Sequence, residues 1–206
     1  MYDVIVIGGG SGGYAGAIRA SQLGGKVALV EGGEMGGTCV ARGCIPSKIW
    51  LRAASLLDQA RKAGDFGVHC SVDSLDFSAI VARKNGVSSD IRMGMEALLA
   101  NNGVDVIRGR GVLTGPKTVD VAGKAVEGKN IILATGSRLA FPEIPGIADA
   151  ALTSDALLDM TAIPESVLVP DPGYIGIELA FLLAVFGCKV TMPASPWPRI
   201  GTTGPA

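Results

Sequence analysis

The first 31 residues contain the pattern that most restricts how this chain can fold. Residues 2–7 (YDVIVI) form a short, almost continuous apolar run, which is typical of a buried parallel strand. The glycine-rich run GGGSGG follows at 8–13, and the pattern predicts a helix over about 12–23. A second apolar run, at 26–30, leads directly to Glu31. This order predicts a βαβ unit whose first turn binds a dinucleotide.

The glycines of this turn have distinct predicted roles. Gly8 allows the tight turn, Gly10 lets the backbone approach a pyrophosphate, and Gly13 lets the helix pack closely on the strand. The helix N-terminus attracts phosphate charge, and the acidic residue after the second strand can accept hydrogen bonds from ribose hydroxyls. The spacing alone does not separate NAD from FAD. The cofactor-binding residues predicted here are Gly8, Gly10, Ser11, Gly12, Gly13 and Glu31.

Two cysteines, Cys39 and Cys44, lie five positions apart soon after this unit. Cys44 directly precedes a stretch with apolar residues at helical spacing, and Pro46 suits the first turn of a helix. The positive end of a helix dipole favours a thiolate at such a position, and Lys48 adds a second positive charge. The pair is either a redox-active disulfide or two structural cysteines. A metal site is disfavoured, because the other two cysteines are isolated and His69 is the only histidine.

Length and charge narrow the classes of partner. The chain has 206 residues, enough for one or two domains, and a formal net charge of -1 with no long basic run, which argues against a nucleic-acid partner. No segment approaches the roughly 20 apolar residues that span a bilayer, so we expect no membrane partner. No targeting segment is evident, and we expect a cytoplasmic protein, although a mature organelle protein would look the same. In the cytosol a cysteine pair is more often catalytic than structural.

The middle of the chain alternates helical and strand patterns. Apolar residues at helical spacing predict a helix over about 76–102, which residues 85–88 (NGVS) could interrupt or bend. Further strands are predicted at 104–107, 109–113, 118–121, 124–126 and 129–133, and the three central ones are expected to be antiparallel. These patterns predict an α/β fold with a parallel sheet, covering helices and a small antiparallel sheet.

Residues 36–48 read GGTCVARGCIPSK. This motif lies downstream of the glycine-rich turn. It resembles the corresponding motif of the class I pyridine nucleotide–disulfide oxidoreductases, and most of all that of the dihydrolipoamide dehydrogenase branch. The resemblance implies FAD as the cofactor. It also implies that Cys39 meets the substrate, Cys44 faces the flavin, Lys48 lies near the flavin ring and Thr38 lines the cofactor.

The resemblance extends over about 1–192 and implies a domain organisation. It implies a Rossmann-like, three-layer FAD-binding domain over 1–147, a partial NAD(P)-binding domain over 148–192 and an irregular tail over 193–206. In that family a strand and an Ala-Thr-Gly turn lie against the flavin cofactor, and a glycine like Gly111 lies where backbone meets adenine. The cofactor-binding residues added in this way are Gly37, Thr38, Gly43, Lys48, Gly111, Ala134, Thr135 and Gly136.

A second glycine-rich turn follows the predicted strand at 167–169, but it is altered. Gly173 and Gly176 match the second and third glycines of the fingerprint, whereas Asp171 replaces the first and stands between two prolines. Proline removes backbone donors and fixes φ, and the aspartate adds negative charge where a pyrophosphate would bind. No acidic residue follows Glu178. These changes disfavour NAD(H); an arginine-based NADP(H) site would not need the acid.

Two further matches lie beside this turn. By resemblance, Tyr174 covers the flavin on its nicotinamide side and Glu178 pairs with Lys48. The residues after Glu178, at 179–186, are apolar on all sides of a helix and therefore predict that it is buried. A buried carboxylate needs a partner, which also favours the pairing with Lys48.

The resemblance implies electron transfer between a dithiol and a nicotinamide cofactor. Electrons would pass from a small-molecule or lipoyl-domain dithiol, with dihydrolipoamide favoured, through the two cysteines and FAD to NAD⁺. The alternatives are a glutathione- or mercuric-reductase-type enzyme, or a non-catalytic FAD-binding fragment. The family's C-terminal His–Glu pair and dimerisation domain have no match here, so we expect this sequence to represent the first half of an enzyme that is a homodimer at full length. The predicted catalytic residues are Cys39, Cys44, Lys48 and Glu178.

Overall fold

The computed structural model describes residues 1–141, 144–170 and 173–192, and it divides the chain into two compact units. The first unit is Met1–Pro46 together with Asn85–Ala151. The second is Ser47–Lys84 together with the chain from Leu152 onward. The tail predicted at 193–206 lies outside the described residues, and the boundary at 147/148 stays a prediction.

The described residues form an α/β structure, as predicted from the sequence. Its strands are β1 (Tyr2–Ile7), β2 (Val27–Glu31), β3 (Asp105–Arg108), β4 (Gly111–Gly115), β5 (Thr118–Val121), β6 (Lys124–Leu133), β7 (Ser166–Leu168) and β8 (Lys189–Thr191). Its helices are α1 (Ser11–Gln22), α2 (Gly37–Arg42), α3 (Cys44–Lys62), α4 (Phe77–Asn101), α5 (Ile147–Ala150), α6 (Ser154–Leu158) and α7 (Tyr174–Val185). A short 3₁₀ turn, Ala63–Phe66, follows α3.

The first unit contains a six-stranded sheet in the order β3-β2-β1-β6-β5-β4. Strands β3, β2, β1 and β6 are parallel, with Val4 opposite Val27 and Ile7 opposite Leu133. Side chains from both faces of β1 are buried: Val6 belongs to one apolar cluster and Ile5 to another. Burial on both faces explains why the parallel strands read as continuous apolar runs.

Strand β6 differs from the prediction, because it is one strand of ten residues rather than two short ones. Its first half pairs antiparallel with β5, and its second half pairs parallel with β1. Gly128 lies where the pairing changes, and a Cβ there would lie 2.7 Å from Ile5 Cγ1. The turn between β5 and β6 uses Ala122 and Gly123, both with positive φ, as a type I′ hairpin turn requires.

Helix α4 runs without interruption over 25 residues, so the break suggested at 85–88 was wrong. A single glycine in a helix costs only about 1 kcal/mol. That cost is small beside the apolar contacts on the far side of the suggested break, where Met95 and Leu99 are buried in a core cluster of the first unit. On the near side, Phe77 and Ile80 pack against the core of the second unit.

The second unit has its own core, built around Trp50, which is fully buried. The rings of Phe77 and Phe186 meet Trp50 edge to face, at centroid distances of 5.0 and 6.4 Å. Strands β7 and β8 pair in parallel, and α7 connects them. Among the described residues, no helix combines the length and the apolarity needed to cross a bilayer.

Helix α7 is not buried on all sides, which corrects the expectation from its apolar sequence. Leu179, Leu182 and Leu183 are buried, but Ile177 and Phe181 are 47% and 55% exposed. A uniformly apolar helix has no preferred face in its sequence, so composition alone could not show which side is covered.

Candidate functional site

Two glycines of the first turn are required by the packing of the chain itself. Gly8 has φ +106°, and a Cβ there would lie 2.2 Å from the carbonyl oxygen of Ala134. A Cβ on Gly13 would lie 1.7 Å from the carbonyl oxygen of Gly8. Both distances are far inside van der Waals contact. The turn and the start of α1 therefore approach β6 and each other closely only because side chains are absent.

Gly10 is different, because no contact among the described residues requires a glycine there. Its φ of -72° suits any residue, and the nearest atom to an added Cβ is Gly37 Cα at 3.9 Å. Gly12 likewise has no atom within 4 Å of an added Cβ. The turn thus leaves open space at the N-terminus of α1, where backbone N–H groups and the helix dipole attract an anion. The binding of a pyrophosphate in this space stays a prediction.

Glu31 is fixed at the end of β2 by two backbone hydrogen bonds. Gly9 N donates to Oε2 and Gly33 N donates to Oε1, each at 2.6 Å. Each carboxylate oxygen has a second acceptor site, so the group still has capacity for ribose hydroxyls. The carboxylate is held beside the glycine-rich turn, and its predicted contact with a ribose stays a prediction.

The loop after β2 is attached to the glycine-rich turn through its backbone. Gly36 N donates to the carbonyl oxygen of Gly9 at 2.9 Å, and Gly10 and Gly36 form an isolated parallel bridge. A Cβ on Gly37 would lie 3.0 Å from Gly10 Cα. This attachment was not predicted, although the repeated glycines between Glu31 and the first cysteine were a visible signal of close backbone approach.

The two cysteines lie on different helices. Cys39 is half-buried in α2, a six-residue helix that the sequence did not predict, and Cys44 is exposed as the first residue of α3. Gly43 separates the helices, and a Cβ there would lie 2.9 Å from the carbonyl oxygen of Thr38. Both cysteines are present as thiols rather than as a disulfide.

The Cys39 thiol interacts with two other side chains. Its S–H donates a hydrogen bond to Cys44, and this is the largest of the causes that raise the pKa of Cys39 above its ordinary value. Partial burial and repulsion from negative charge on Cys44 raise it further, whereas hydrogen bonds with Ser11 and with the backbone of Cys44 lower it. The structure therefore brings together Cys39, Cys44 and the first residue of α1.

The segment after β6 passes next to the same turn. Ala134 N donates to the carbonyl oxygen of Ile7 at 2.9 Å, which continues the pairing with β1, and Gly136 has φ +71°. The packing of the protein itself, without any ligand, explains why residue 111 is a glycine. A Cβ there would lie 3.1 to 3.2 Å from Ile7 and Val30. Its predicted contact with adenine stays a prediction.

The remaining predicted residues lie in the second unit. Lys48 Nζ and Glu178 Oε1 are 2.6 Å apart, with the two side chains 62% and 29% exposed, so the pair exists without deep burial. Tyr174 is 74% exposed as the first residue of α7. Gly173 is the N-cap of α7 with φ -66° and ψ 170°, and Gly176 is buried. Asp171 lies outside the described residues.

Comparison with known proteins agrees with this geometry. The model of the pyridine nucleotide-disulphide oxidoreductase family matches residues 2–201. The chain belongs to this family. Among solved structures, this family member is similar to the HOCl-induced flavoprotein disulfide reductase RclA from Escherichia coli, with a TM-score of 0.80 and 31% identity over 93% of this chain and 41% of that one.

The curated relatives of this oxidoreductase-family chain include dihydrolipoyl dehydrogenases. That of Acholeplasma laidlawii is 43% identical over 197 residues, and that of Bacillus subtilis is 42% identical over 207 residues. A mercuric reductase from Staphylococcus aureus is 36% identical over 193 residues. Each match covers 93% of this chain, but only 59%, 43% and 35% of the respective relatives. The chain thus spans about half the length of these relatives or less.

Proposed function

We propose that this chain is the FAD-binding, disulfide-bearing part of a dihydrolipoyl dehydrogenase-type oxidoreductase. The observation that carries the proposal is the contact between Cys39 and Cys44 next to a glycine-rich turn that leaves room for a nucleotide. Similarity to dihydrolipoyl dehydrogenases over 93% of the chain supports it. A reaction of dithiols is also suited to the cytosol, where thiols are kept reduced.

The residues of the first unit would hold the cofactor. The open turn at Gly10 and the N-terminus of α1 would bind the pyrophosphate, and Glu31 would accept hydrogen bonds from a ribose. Bound FAD supplies the ability to take two electrons from a dithiol and pass them to a nicotinamide nucleotide as hydride. In the second unit, the ion pair with Glu178 would keep the Lys48 ammonium in one orientation.

The cysteine pair would exchange a disulfide with the substrate. In the oxidised protein, a substrate thiolate attacks Cys39 Sγ, a substrate–Cys39 disulfide forms, and Cys44 leaves as a thiolate. The second substrate thiol loses its proton and attacks the substrate sulfur of that mixed disulfide, which releases the Cys39 thiolate. The substrate has then lost two electrons as a cyclic or linked disulfide, and the protein pair has gained them.

Dihydrolipoamide is the first choice of substrate, because the relatives with the highest identity reported above are dihydrolipoyl dehydrogenases. Mercuric reductase chemistry is the second candidate, since a relative of that name is 36% identical to this chain. Both substrates would react through the same cysteine pair. A nicotinamide nucleotide would bind at the altered second turn. We propose that this turn, without further residues, binds NAD(H) weakly.

The test is anaerobic exchange with a dithiol. We expect the 206-residue chain, reconstituted with FAD and oxidised, to convert about one dihydrolipoamide to lipoamide per chain, as measured by titration of the small-molecule thiols after the protein has been removed by filtration. C39S and C44S should each abolish this conversion. C70S is the matched control, because Cys70 is exposed and donates to the carbonyl oxygen of Ala60, away from the pair in sequence. Failure to bind FAD, or unchanged conversion in C39S, would contradict the proposal.

A further inference from the structure

We propose that Ser11 is a positioning residue for the redox pair, whose hydroxyl donates a hydrogen bond to the Cys39 thiolate and stabilises that sulfur when the oxidised substrate is released. This inference rests on the proposed function, in which Cys39 is the sulfur that reacts with the substrate. It goes further, because it assigns Ser11 to the substrate-facing sulfur and not only to the nucleotide turn.

The backbone brings the starts of α1 and α2 together. Ser11 is the first residue of α1 and Cys39 is the third residue of α2. The bridge between Gly10 and Gly36 joins the residues just before the two helices, and Gly36 N donates to the carbonyl oxygen of Gly9 at 2.9 Å. These contacts fix the side chains in the first turns of both helices next to each other.

Glycines make this close approach possible. Gly37 has φ +57°, and even a Cβ on it would lie 3.0 Å from Gly10 Cα. Gly36, with φ +94°, could not carry a Cβ either, because that atom would lie 2.5 Å from the Val40 side chain. Four glycines, at 9, 10, 36 and 37, therefore form the contact between the two segments, and Ser11 contributes the first side chain beyond them.

The hydroxyl has the chemistry that a thiolate needs. The N-cap of α1 is Gly10, which has no side chain, so Ser11 stands one position past the place where a serine normally caps the helix. A serine O–H rotates freely and donates one hydrogen bond, and hydrogen bonds to ions are about twice as strong as those between neutral groups. Its hydrogen bond lowers the pKa of Cys39.

This effect opposes three of the other influences on the same thiol. The side-chain hydrogen bond and the charge of Cys44 raise the pKa of Cys39, as does burial, whereas a hydrogen bond with the backbone of Cys44 acts in the same direction as Ser11 and lowers it. Ser11 thus restores part of the thiolate that the neighbouring cysteine and partial burial suppress. Because only the thiolate reacts with a disulfide or an alkylating agent, the hydroxyl should accelerate Cys39 chemistry at neutral pH.

The experiment measures the reactivity of Cys39 in the reduced 206-residue chain without cofactor. Each cysteine's rate of alkylation by iodoacetamide is followed from pH 6 to 10 by peptide mass spectrometry. We expect S11A to shift the Cys39 profile to higher pH and to slow its alkylation at neutral pH by roughly threefold to tenfold, which is the loss expected from one hydrogen bond to a partly exposed anion. S11T, which keeps a hydroxyl, should restore the original profile.

S21A is the matched control, because Ser21 is the other serine of α1 and its hydroxyl donates to the backbone of Asn102. Its Cys39 profile should coincide with that of the unaltered chain. A profile in S11A that does not move, a shift of equal size in S21A, or a shift that persists in S11T would each overturn the proposal. A separate FAD titration of S11A distinguishes this result from failure of the proposed function, because the thiol profile is measured without the cofactor.

Discussion

The two glycine-rich turns of this chain can be compared directly, because each connects two parallel strands through a helix. The N-cap glycines have nearly the same conformation, with φ -72° at Gly10 and φ -66° at Gly173. The next glycine of each fingerprint, Gly13 or Gly176, is buried. The helix start is therefore the same in both regions.

The surroundings of the two turns differ. After the first turn, β2 ends in Glu31, whose carboxylate is held by two backbone N–H groups, and a second glycine-rich loop bridges to the turn. After the second turn, β8 ends in Thr191, followed by Met192, and no acidic residue follows Glu178 in the sequence. The comparison teaches that the glycines fix the start of the helix, whereas the acid and the neighbouring loop determine whether the turn is equipped for a nucleotide.

We expect the largest effect from a side chain added at Gly13 in the first turn, which should destabilise the protein. We expect G13A to lower the free energy of unfolding by roughly 3 kcal/mol, because the new Cβ would lie 1.7 Å from the carbonyl oxygen of Gly8 and the backbone must move. G12A is the matched control, since no atom lies within 4 Å of its Cβ. Urea denaturation followed by circular dichroism measures both. Equal stability of the two variants would show that the close packing is not required.

At Gly10 we expect the ligand, and not the fold, to require the absence of a side chain. G10A should leave the unfolding midpoint unchanged, because its φ is ordinary and its Cβ has no close neighbour. It should weaken FAD binding by roughly 100-fold, since a methyl group would occupy the space for the pyrophosphate. G173A, at the equivalent position of the second turn, should bind FAD as the unaltered chain does. Titration of flavin fluorescence gives the affinities, and unimpaired binding by G10A would break the comparison.

A smaller effect concerns the thiols, which follow only the first turn. Because the hydrogen bond to Cys44 is the largest cause that raises the pKa of Cys39, C44A should lower that pKa and increase the thiolate fraction at neutral pH. We expect Cys39 alkylation at pH 7 to become faster by roughly threefold or more. C188A, which removes a buried cysteine of the second unit, should have no such effect. A slower reaction in C44A would contradict the stated direction.

The smallest effect is expected in the second unit, at Lys48 and Glu178. Their side chains are partly exposed, so solvent screens the ion pair, and we expect a coupling free energy of about 0.5 kcal/mol. A double-mutant cycle of K48M, E178Q and the combined variant measures it by urea denaturation. A coupling of several kcal/mol would mean that the pair is essential to the second unit rather than a local orientation of two side chains.

The first βαβ unit could be predicted because its requirements are local. Gly13 answers a close approach to Gly8, five positions earlier in the chain, and the apolar runs on either side have lengths typical of buried strands. Helix α2 could not be predicted in this way, because six residues are too few to show an apolar period. The continuity of β6 was hidden for another reason: Gly128 looks like a break in sequence but allows close contact with Ile5.

The second unit was less accessible to sequence reasoning. The pairing of Lys48 with Glu178 joins residues 130 positions apart, and it came from the family resemblance and from an argument about burial. The pair is present, but Glu178 is 29% exposed, so burial was the wrong reason. Hydrophobic composition showed that α7 packs in a core, and only its neighbours determine which side remains open to solvent.

The unbroken course of β6 has a practical consequence. Its ten residues extend over roughly 33 Å, from the hairpin at Ala122–Gly123 to the edge of the glycine-rich turn at Ala134. A dye attached at the hairpin tip would be held at a fixed separation from any chromophore bound beside that turn. Energy transfer along this strand would then time the arrival and departure of the chromophore without alteration of any residue that contacts it.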